Sequence, residues 1–488
     1  MAVVIVAVFA LLAVEKAHRV LVVFGAVTLL WLITYFTPYH LVSFEASQEA
    51  LDLNVLLLLA SMMAIVAVLK TTGVFPYVVA KLLRLAGGRP VLVMALLVWF
   101  TGIISSIADN VTTVIFTTPM ALGVASLLRV RPVAFVLPMV MASNIGGTAT
   151  LIGDPPNILI GSGAGLSFLD FLVNLTAPVL IMMMALEWQC RRYFRAGYAA
   201  GLQTLDRDSI AVPPLRERTL LRWGLGISAV VFIGFVTHSV TGMPAAVPAA
   251  VGAMALLAVQ DYLYLRHRDP TETERQHGIL HVIEREIEWP TLSFFAFLFI
   301  MVEAAVQTGL IATVSDTLGS LVEQGRIAMS LSEHGTLLLA ALLVLWLSGV
   351  VSSLIDNIPY VAVTIPIVAS LVSQLGGDTQ VLWWALSLGA CLGGNGSLIG
   401  ASANLTAVGL AEKAGERIAF GEFFRFGARV ALMSLTISSA FLALYVYWGR
   451  GLSHLTAFAA LAIVLAVRGV TWFRSSRLAE VSEARPAP

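Results

Sequence analysis

The sequence predicts an all-α polytopic membrane protein built from two related halves. Hydrophobic residues make up 58% of its 488 residues and charged residues only 12%. Because soluble proteins carry about 25% charged residues, most of this chain is expected to cross the lipid bilayer as helices. A net charge of zero gives no reason to expect a nucleic-acid partner. The two cysteines, Cys190 and Cys391, have no metal-ligand spacing and are expected to be packing residues, so no cofactor is implied.

An internal duplication is visible at a spacing of 247 residues. Residues 105–110 read SSIADN, and residues 352–357 read SSLIDN. At the same spacing, six of twelve residues are identical between 146–157 and 393–404. One register held across two polar motifs and the apolar segment between them indicates a duplicated unit, so both halves are expected to fold alike.

Each copy is predicted to contain a hairpin followed by an interrupted helix. Two apolar limbs flank each hexapeptide, over 90–128 in the first copy and 335–374 in the second. Their polar tips favour re-entrant hairpins over pairs of full spans. The apolar runs 133–162 and 381–411 are interrupted by glycines, which weaken helices. Unsatisfied backbone is tolerated at membrane depth only where it faces protein or water, so each run is predicted to be a broken transmembrane helix.

About 11 spans are expected, in four stretches of chain. Residues 1–188 contain the first copy, 189–289 contain linking spans and arginine-rich loops, 290–447 contain the second copy, and 448–488 form a last span and tail. The positive-inside rule places 27 of the 29 Lys and Arg residues on the cytoplasmic side, including the loop around 16–19 and the C-terminus. The copies then enter the membrane from opposite sides, an inverted repeat typical of secondary transporters.

Polar residues at the tips and breaks are predicted to form a transport site near the membrane midplane. Carboxylates are costly within a bilayer, so Asp109, Asp154 and Asp356 are the strongest candidates for binding a cation or a proton. Asp154 is expected to face the cavity; its equivalent position holds Ala401. Structural alternatives remain open, namely caps at the two hairpin tips and a turn before Pro155. The other candidates offer amide, hydroxyl or backbone groups: Ser106, Asn110, Asn144, Gly147, Thr148, Thr150, Asn157, Ser353, Asn357, Gly394, Asn395, Ser397 and Asn404.

No Lys or Arg is expected at the depth of this site. Three carboxylates without a basic partner suit a cation or a proton better than a dicarboxylate. An anion remains an alternative, because the N-termini of half-helices bind anions. Glu303 also lies in an apolar span, where a packing role and a functional role are equally open.

The motifs resemble those of the ion-transporter superfamily, in the branch that holds arsenite efflux permeases, NhaD-type sodium/proton antiporters and the melanosomal P protein. The resemblance rests on NIGGTATLIGDPPN at 144–157, DNVTT at 109–113 and EKAHR at 15–19. It implies a citrate-transporter-like fold with two opposed re-entrant hairpins, two broken helices and a homodimer. Related dicarboxylate carriers have Ser-Asn-Thr at the tips where this sequence has Asp-Asn, which favours the arsenite and antiporter branch.

A secondary active transporter coupled to protons or sodium is therefore the leading hypothesis, with alternating access at a midplane site in the bacterial inner membrane. Its substrate would be a small inorganic ion or small anion. A permease for arsenite, another oxyanion or an organic anion is the alternative, and an ion channel is an alternative of another class. An intramembrane aspartyl protease is disfavoured, because its two acidic motifs would be unlike, and no enzymatic activity is expected.

The inverted repeat predicts that water reaches the two hairpin tips from opposite sides in at least one state. Single cysteines at Ser106 and Ser353, in a background lacking Cys190 and Cys391, should react with impermeant thiol reagents applied to opposite faces. Equal labelling of both positions from one face under every condition would contradict the inverted repeat.

Overall fold

The computed structural model describes residues 1–14, 17–201, 212–265 and 281–483. Within these ranges the secondary structure consists of helices and turns. Ten of the described helices are long and apolar enough to cross a membrane, by length and composition. Shorter apolar helices include the first hairpin's first limb and the first half of the first broken helix.

The helices up to the end of the first copy follow the predicted order. They are α1 (Ala2–Val14), α2 (Arg19–Phe36), α3 (Phe44–Glu49), α4 (Leu53–Thr71), α5 (Val74–Ala86), α6 (Pro90–Ser105), α7 (Asn110–Leu128), α8 (Val133–Gly147), α9 (Pro155–Ala164) and α10 (Phe168–Tyr193). Helices α6 and α7 form the first hairpin, and α8 and α9 form the first broken helix.

The linking region and the second copy complete the fold. They contain α11 (Arg195–Ala200), α12 (Arg218–Thr241), α13 (Ala246–Leu265), a π-helical turn (Val282–Glu286), α14 (Trp289–Gln307), α15 (Leu310–Ala328), α16 (Glu333–Leu354), α17 (Asn357–Leu375), α18 (Val381–Gly393), α19 (Ser402–Lys413) and α20 (Phe420–Glu483). Helices α16 and α17 form the second hairpin, and α18 and α19 form the second broken helix. Helix α20 is interrupted at Gly449, whose φ of 73° is not helical.

Both hairpins turn at an aspartate that caps the returning helix. Asp109 Oδ1 accepts a hydrogen bond from the Thr112 N–H at 2.9 Å, and Asp356 Oδ1 accepts one from the Ile358 N–H at 3.0 Å. Such caps satisfy amide groups that have no partner within the first turn of a helix. The cap that the sequence left open as a structural alternative is therefore present at both tips, and it uses one carboxylate oxygen.

Both broken helices are interrupted where the glycines lie. The first break separates α8 from Pro155, and prolines suit the first turn of α9 because they have no N–H to leave unsatisfied. The second break lies between α18 and α19 and contains two 3-10 turns, Gly394–Gly396 and Leu398–Gly400.

Equivalent residues of the two copies make equivalent contacts between hairpin and broken helix, as the duplication predicts. The Ser105 hydroxyl donates to the Ser143 carbonyl at 2.8 Å, and its equivalent Ser352 donates to the Ala390 carbonyl at 2.6 Å. Helix α7 packs along α19 of the other copy, while α17 packs along α9. Each hairpin therefore reaches across to the other copy's broken helix, and the predicted inverted-repeat fold is confirmed.

Glycine is required where each hairpin touches its own broken helix. A Cβ on Gly146 would lie 2.2 Å from the Gly102 carbonyl oxygen, and a Cβ on Gly393 would lie 2.4 Å from that of Gly349. These are equivalent pairs in the two copies, and backbone cannot yield as a flexible side chain can. Small residues thus allow close helix packing here, as is common in membranes.

We predict that Gly146→Ala destabilises the protein by about 1–3 kcal/mol or more, because the added methyl group must displace backbone. Thermal unfolding of purified protein in detergent would measure the loss. Gly123→Ala is the matched control, since a Cβ at this helical position meets nothing within 4 Å. Equal unfolding temperatures for the two variants would contradict the predicted contact.

Candidate transport site

A cavity of about 460 Å³ lies between the two hairpin tips. Its walls include both tip aspartates, Asp109 and Asp356, which the chain folding brings to one place. Leu59 and Met63 also line it, and they lie in the middle third of the 19-residue helix α4. The cavity is therefore at mid-depth of a spanning helix, where a transport site is expected.

Six of the described helices begin at this cavity. Arg19, Pro155 and Ser402 are the first residues of α2, α9 and α19, and they line its wall. The other three helices, α7, α14 and α17, begin directly after Asp109, Glu288 and Asp356, which also line it. Since a helix N-terminus carries about half a positive charge, these termini offset part of the repulsion among the carboxylates.

The expectation that no Lys or Arg lies at the depth of the site is wrong for Arg19. Its Nη1 donates to Asp356 Oδ2 at 3.2 Å and to Ser402 Oγ at 2.6 Å. The charge count had assigned Arg19 to a cytoplasmic loop next to α2. A guanidinium on a long side chain at the start of a helix can reach well beyond that loop, which counting along the sequence cannot show.

Asp154 lies behind the cavity and bridges the two copies. Its side chain is 1% exposed and does not line the cavity wall, so the expectation that it faces the cavity is wrong. The Asn110 amide donates to Asp154 Oδ1 at 3.1 Å, and the Asn357 amide approaches Oδ2 at 3.5 Å. Asn110 and Asn357 are equivalent residues of the two tips, so the one carboxylate without a symmetry mate contacts both.

Asn144 continues this buried network from one copy into the other. Its amide donates to Asn395 Oδ1 at 2.9 Å and to Asn404 Oδ1 at 3.0 Å. Its own Oδ1 accepts from the Asn110 amide at 3.2 Å. The Asn395 amide nitrogen is buried without a hydrogen-bond partner among the described residues. Hydrogen bonds thus join Asn110, Asn144, Asn395 and Asn404 in a buried network that does not line the cavity.

Other candidates satisfy backbone groups at the tips and breaks. The Thr150 hydroxyl donates to the Ser106 carbonyl at 2.6 Å, and the equivalent Ser397 hydroxyl donates to the Ser353 carbonyl. Further local bonds to backbone carbonyls are made by the hydroxyls of Ser106, Thr148 and Ser353 and by the amides of Asn157 and Asn404. Gly147 and Gly394 allow close contact with Gly153 and Gly400 across the breaks.

Sequence reasoning missed two charged residues of the cavity. Arg19 belongs to the EKAHR segment that carries part of the family resemblance, so a signal was present. Glu288 directly precedes the span that begins at Trp289, and its carboxylate accepts from the Thr291 hydroxyl at 2.9 Å. Burial and the nearby Asp109 carboxylate raise the pKa of Glu288. Glu303, in contrast, lies outside the cavity wall and bonds Gln307.

Two network residues were also missed. The Ser387 hydroxyl and the Cys391 thiol donate to Asn157 Oδ1 at 2.7 Å and 3.5 Å. Cys391 is therefore more than the apolar packing residue that was expected. A cysteine-free background for labelling should carry serine at 391, which keeps a donor.

These features define a polytopic membrane transporter with an inverted repeat. The citrate transporter family, CitMHS, matches residues 9–389, and the chain belongs to this family. Known relatives include an uncharacterized transporter of Mycobacterium bovis, 37% identical over 90% of this chain and 96% of the relative. The 46 kDa membrane protein of Mycobacterium leprae is 38% identical over 82% of this chain and 88% of its own length.

Two further comparisons give a longer relative and a structure with a similar fold. The human P protein is 29% identical over 81% of this chain, which spans only 54% of that protein. The crystal structure of the YdaH transporter of Alcanivorax borkumensis, described as having an unusual topology, aligns with a TM-score of 0.59. It is 16% identical and covers 89% of this chain and 99% of the solved chain, so it bears on the fold alone.

We predict that Asp109→Asn and Asp356→Asn each abolish ion-coupled transport while the protein still inserts, because the amide keeps the size but removes the charge. Uptake into proteoliposomes would measure the effect. Asp316→Asn is the control, since Asp316 makes an exposed contact with Gln374 away from the cavity. Native ion dependence in either tip variant would make that carboxylate a cap only.

Proposed function

We propose that the protein is a secondary active transporter that couples a small solute to protons or sodium by alternating access. The observation that carries this proposal is Asp154, a buried carboxylate held between equivalent asparagines of the two tips. Among the described residues no Lys, Arg or His lies within ion-pair distance of it. An ionised carboxylate without a cationic partner is costly in such a place, and a bound proton or sodium ion lowers that cost.

The charge of the cavity supports a cation as the coupling ion. Among the described residues of its wall, Asp109, Asp356 and Glu288 contribute three carboxylates, against the single guanidinium of Arg19. Arg19 is already bonded to Asp356 and Ser402. The remaining carboxylates therefore give the cavity an acidic excess that favours a cation.

An organic-anion permease is the second candidate, because Arg19 lies in the cavity and six helix N-termini converge there. Both features favour an anion. The description of the family as citrate transporters adds citrate to the substrates worth testing.

Proteoliposomes that contain a pH-sensitive dye would separate these candidates. Sodium, arsenite and citrate gradients would each be imposed on protein-containing and empty vesicles, and proton movement against its own gradient would be recorded. A sodium response supports an antiporter, and a response to arsenite or citrate supports an anion permease. Solute flux without uphill proton or sodium movement would indicate a channel and contradict the proposal.

We further propose a homodimer in a bacterial inner membrane with a cytoplasmic C-terminus. Two ion pairs are consistent with the charge count, because each joins two segments that the count assigns to the same side. They are Lys70 with Glu286 at 2.7 Å and Arg131 with Glu422 at 3.1 Å. Light scattering of the detergent-solubilised protein would measure the number of subunits, and a C-terminal reporter fusion would locate the C-terminus.

We predict that Asp154→Asn retains solute binding but loses transport driven by a pH gradient. Asparagine can keep a hydrogen bond to Asn110 but cannot bind and release a proton. Binding and transport measured across pH would show the split. Glu303→Gln is the matched control, because Glu303 is a carboxylate within a span but away from the cavity. Full pH dependence in Asp154→Asn would leave Asp154 only its structural bridge between the two tips and place the proton elsewhere.

A further inference from the structure

Arg19 connects the transport cavity to a helix outside both repeats. Its guanidinium contacts Asp356 and Ser402, and the Ser402 hydroxyl donates to the same carboxylate oxygen, Asp356 Oδ2, at 2.6 Å. The Arg19 side chain is 35% exposed and that of Asp356 is 14% exposed. Each of these three groups contacts the other two. The cation beside Asp356 is therefore a side chain of the protein.

Among the residues that the structure describes, the equivalent place in the first copy has no such cation. Asp109 is the counterpart of Asp356, and Pro155, which has no hydroxyl, is the counterpart of Ser402. Among the described residues, no Lys, Arg or His lies within ion-pair distance of Asp109. The two tips therefore present the same carboxylate to one cavity, but in the described part of the chain only Asp356 is paired with a basic side chain.

Helix α2 by itself gives no reason for an arginine at this position. Arg19 is its first residue, and its first turn contains no acidic residue. A cation at a helix N-terminus is unfavourable, because that end of the helix is already positive. The ion pair with Asp356 offsets this cost, so the contact across the cavity accounts for the arginine where local helix chemistry does not.

The other charged groups around Asp356 make a cation there more favourable. Asp109 before α7, Asp154 before α9 and Glu288 before α14 surround it with acidic groups, and His18 next to Arg19 also lines the cavity. Helix α2 is held beside α14, where the Phe24 and Phe297 rings are 4.6 Å apart. This packing fixes the start of α2, and with it Arg19, at the cavity wall.

We propose that Arg19 is a tethered cation of the transport site, that is, a cation covalently attached to the protein. Its guanidinium occupies at Asp356 the position that an exchangeable coupling cation occupies at Asp109. The inference rests on the proposed ion-coupled function. In this proposal the coupling cation exchanges with solution at Asp109, while Asp356 remains in a fixed ion pair with Arg19. The two equivalent carboxylates, Asp109 and Asp356, then bind one coupling cation where symmetry would suggest two.

A charge-balanced pair of double variants tests this assignment. Arg19→Gln/Asp356→Asn and Arg19→Gln/Asp109→Asn remove the same charges and differ only in the tip that is neutralised. Each would be compared with its single variants in the dye-containing proteoliposomes, using whichever of sodium, arsenite and citrate gives the parent its largest proton flux.

We expect Asp356→Asn to lower the coupled flux at least about tenfold, because it leaves Arg19 unpaired, and Arg19→Gln/Asp356→Asn to recover most of the loss, because removing both partners is much less costly. Arg19→Gln/Asp109→Asn should stay inactive, and Arg19→Lys should keep part of the parent flux. A double variant at Asp356 that folds but stays as inactive as Asp356→Asn overturns the proposal, because Asp356 itself would then bind the coupling ion.

Thermal unfolding of the same variants in detergent separates this outcome from failure of the proposed function. If the parent moves no protons with any of the three solutes, the proposed coupling fails. The ion pair is then judged by stability alone. A higher unfolding temperature for Arg19→Gln/Asp356→Asn than for either single variant supports the Arg19–Asp356 ion pair. If the double variant instead loses the sum of the two single decreases in unfolding temperature, the ion pair is overturned.

Discussion

The two helix breaks leave backbone carbonyl groups without helical partners at membrane depth, and the rest of the site depends on how these groups are satisfied. No water is available in a bilayer core to bond them. The Asn157 amide donates to the Thr148 and Thr150 carbonyls at 3.1 and 2.9 Å. The Asn404 amide donates to the Gly394 and Ser397 carbonyls, both at 2.8 Å. Each break is thus closed by one asparagine of its own copy.

These two asparagines also join the copies. Asn404 Oδ1 accepts from Asn144 of the first copy, while Asn157 Oδ1 accepts from Ser387 and Cys391 of the second. The hairpin tips are held to the breaks by Thr150 and Ser397, so tips and breaks form one connected unit. The cavity lies where this unit meets α2, α4 and α14, and Arg19 and Glu288 enter it from outside the duplicated elements. The duplication therefore supplies the symmetric part of the site, and the asymmetry comes from Arg19, Glu288 and the differences between the copies at Asp154 and Ser402.

Each tip aspartate caps a helix and also lines the cavity, and these two roles are compatible. At Asp356, Oδ1 caps α17, while Oδ2 accepts from Arg19 and Ser402. Capping fixes the orientation of the carboxylate, so its second oxygen is presented to the cavity without the entropic cost of ordering a free side chain. A carboxylate that ends a hairpin tip can therefore hold the fold and serve the site at once.

The sequence by itself determined the membrane class, the duplication, the hairpins and the breaks. Apolar length, glycine and proline positions and a constant register are local or periodic properties, and they act through backbone chemistry that does not depend on distant contacts. It also singled out Asp109 and Asp356, since a carboxylate in an apolar segment is costly wherever the chain folds. Only the tertiary structure decided that Asp154 lies behind the cavity and that Arg19 lies within it. Both depend on which side chains from distant segments meet, because the charge and burial of a site are sums over neighbours in space.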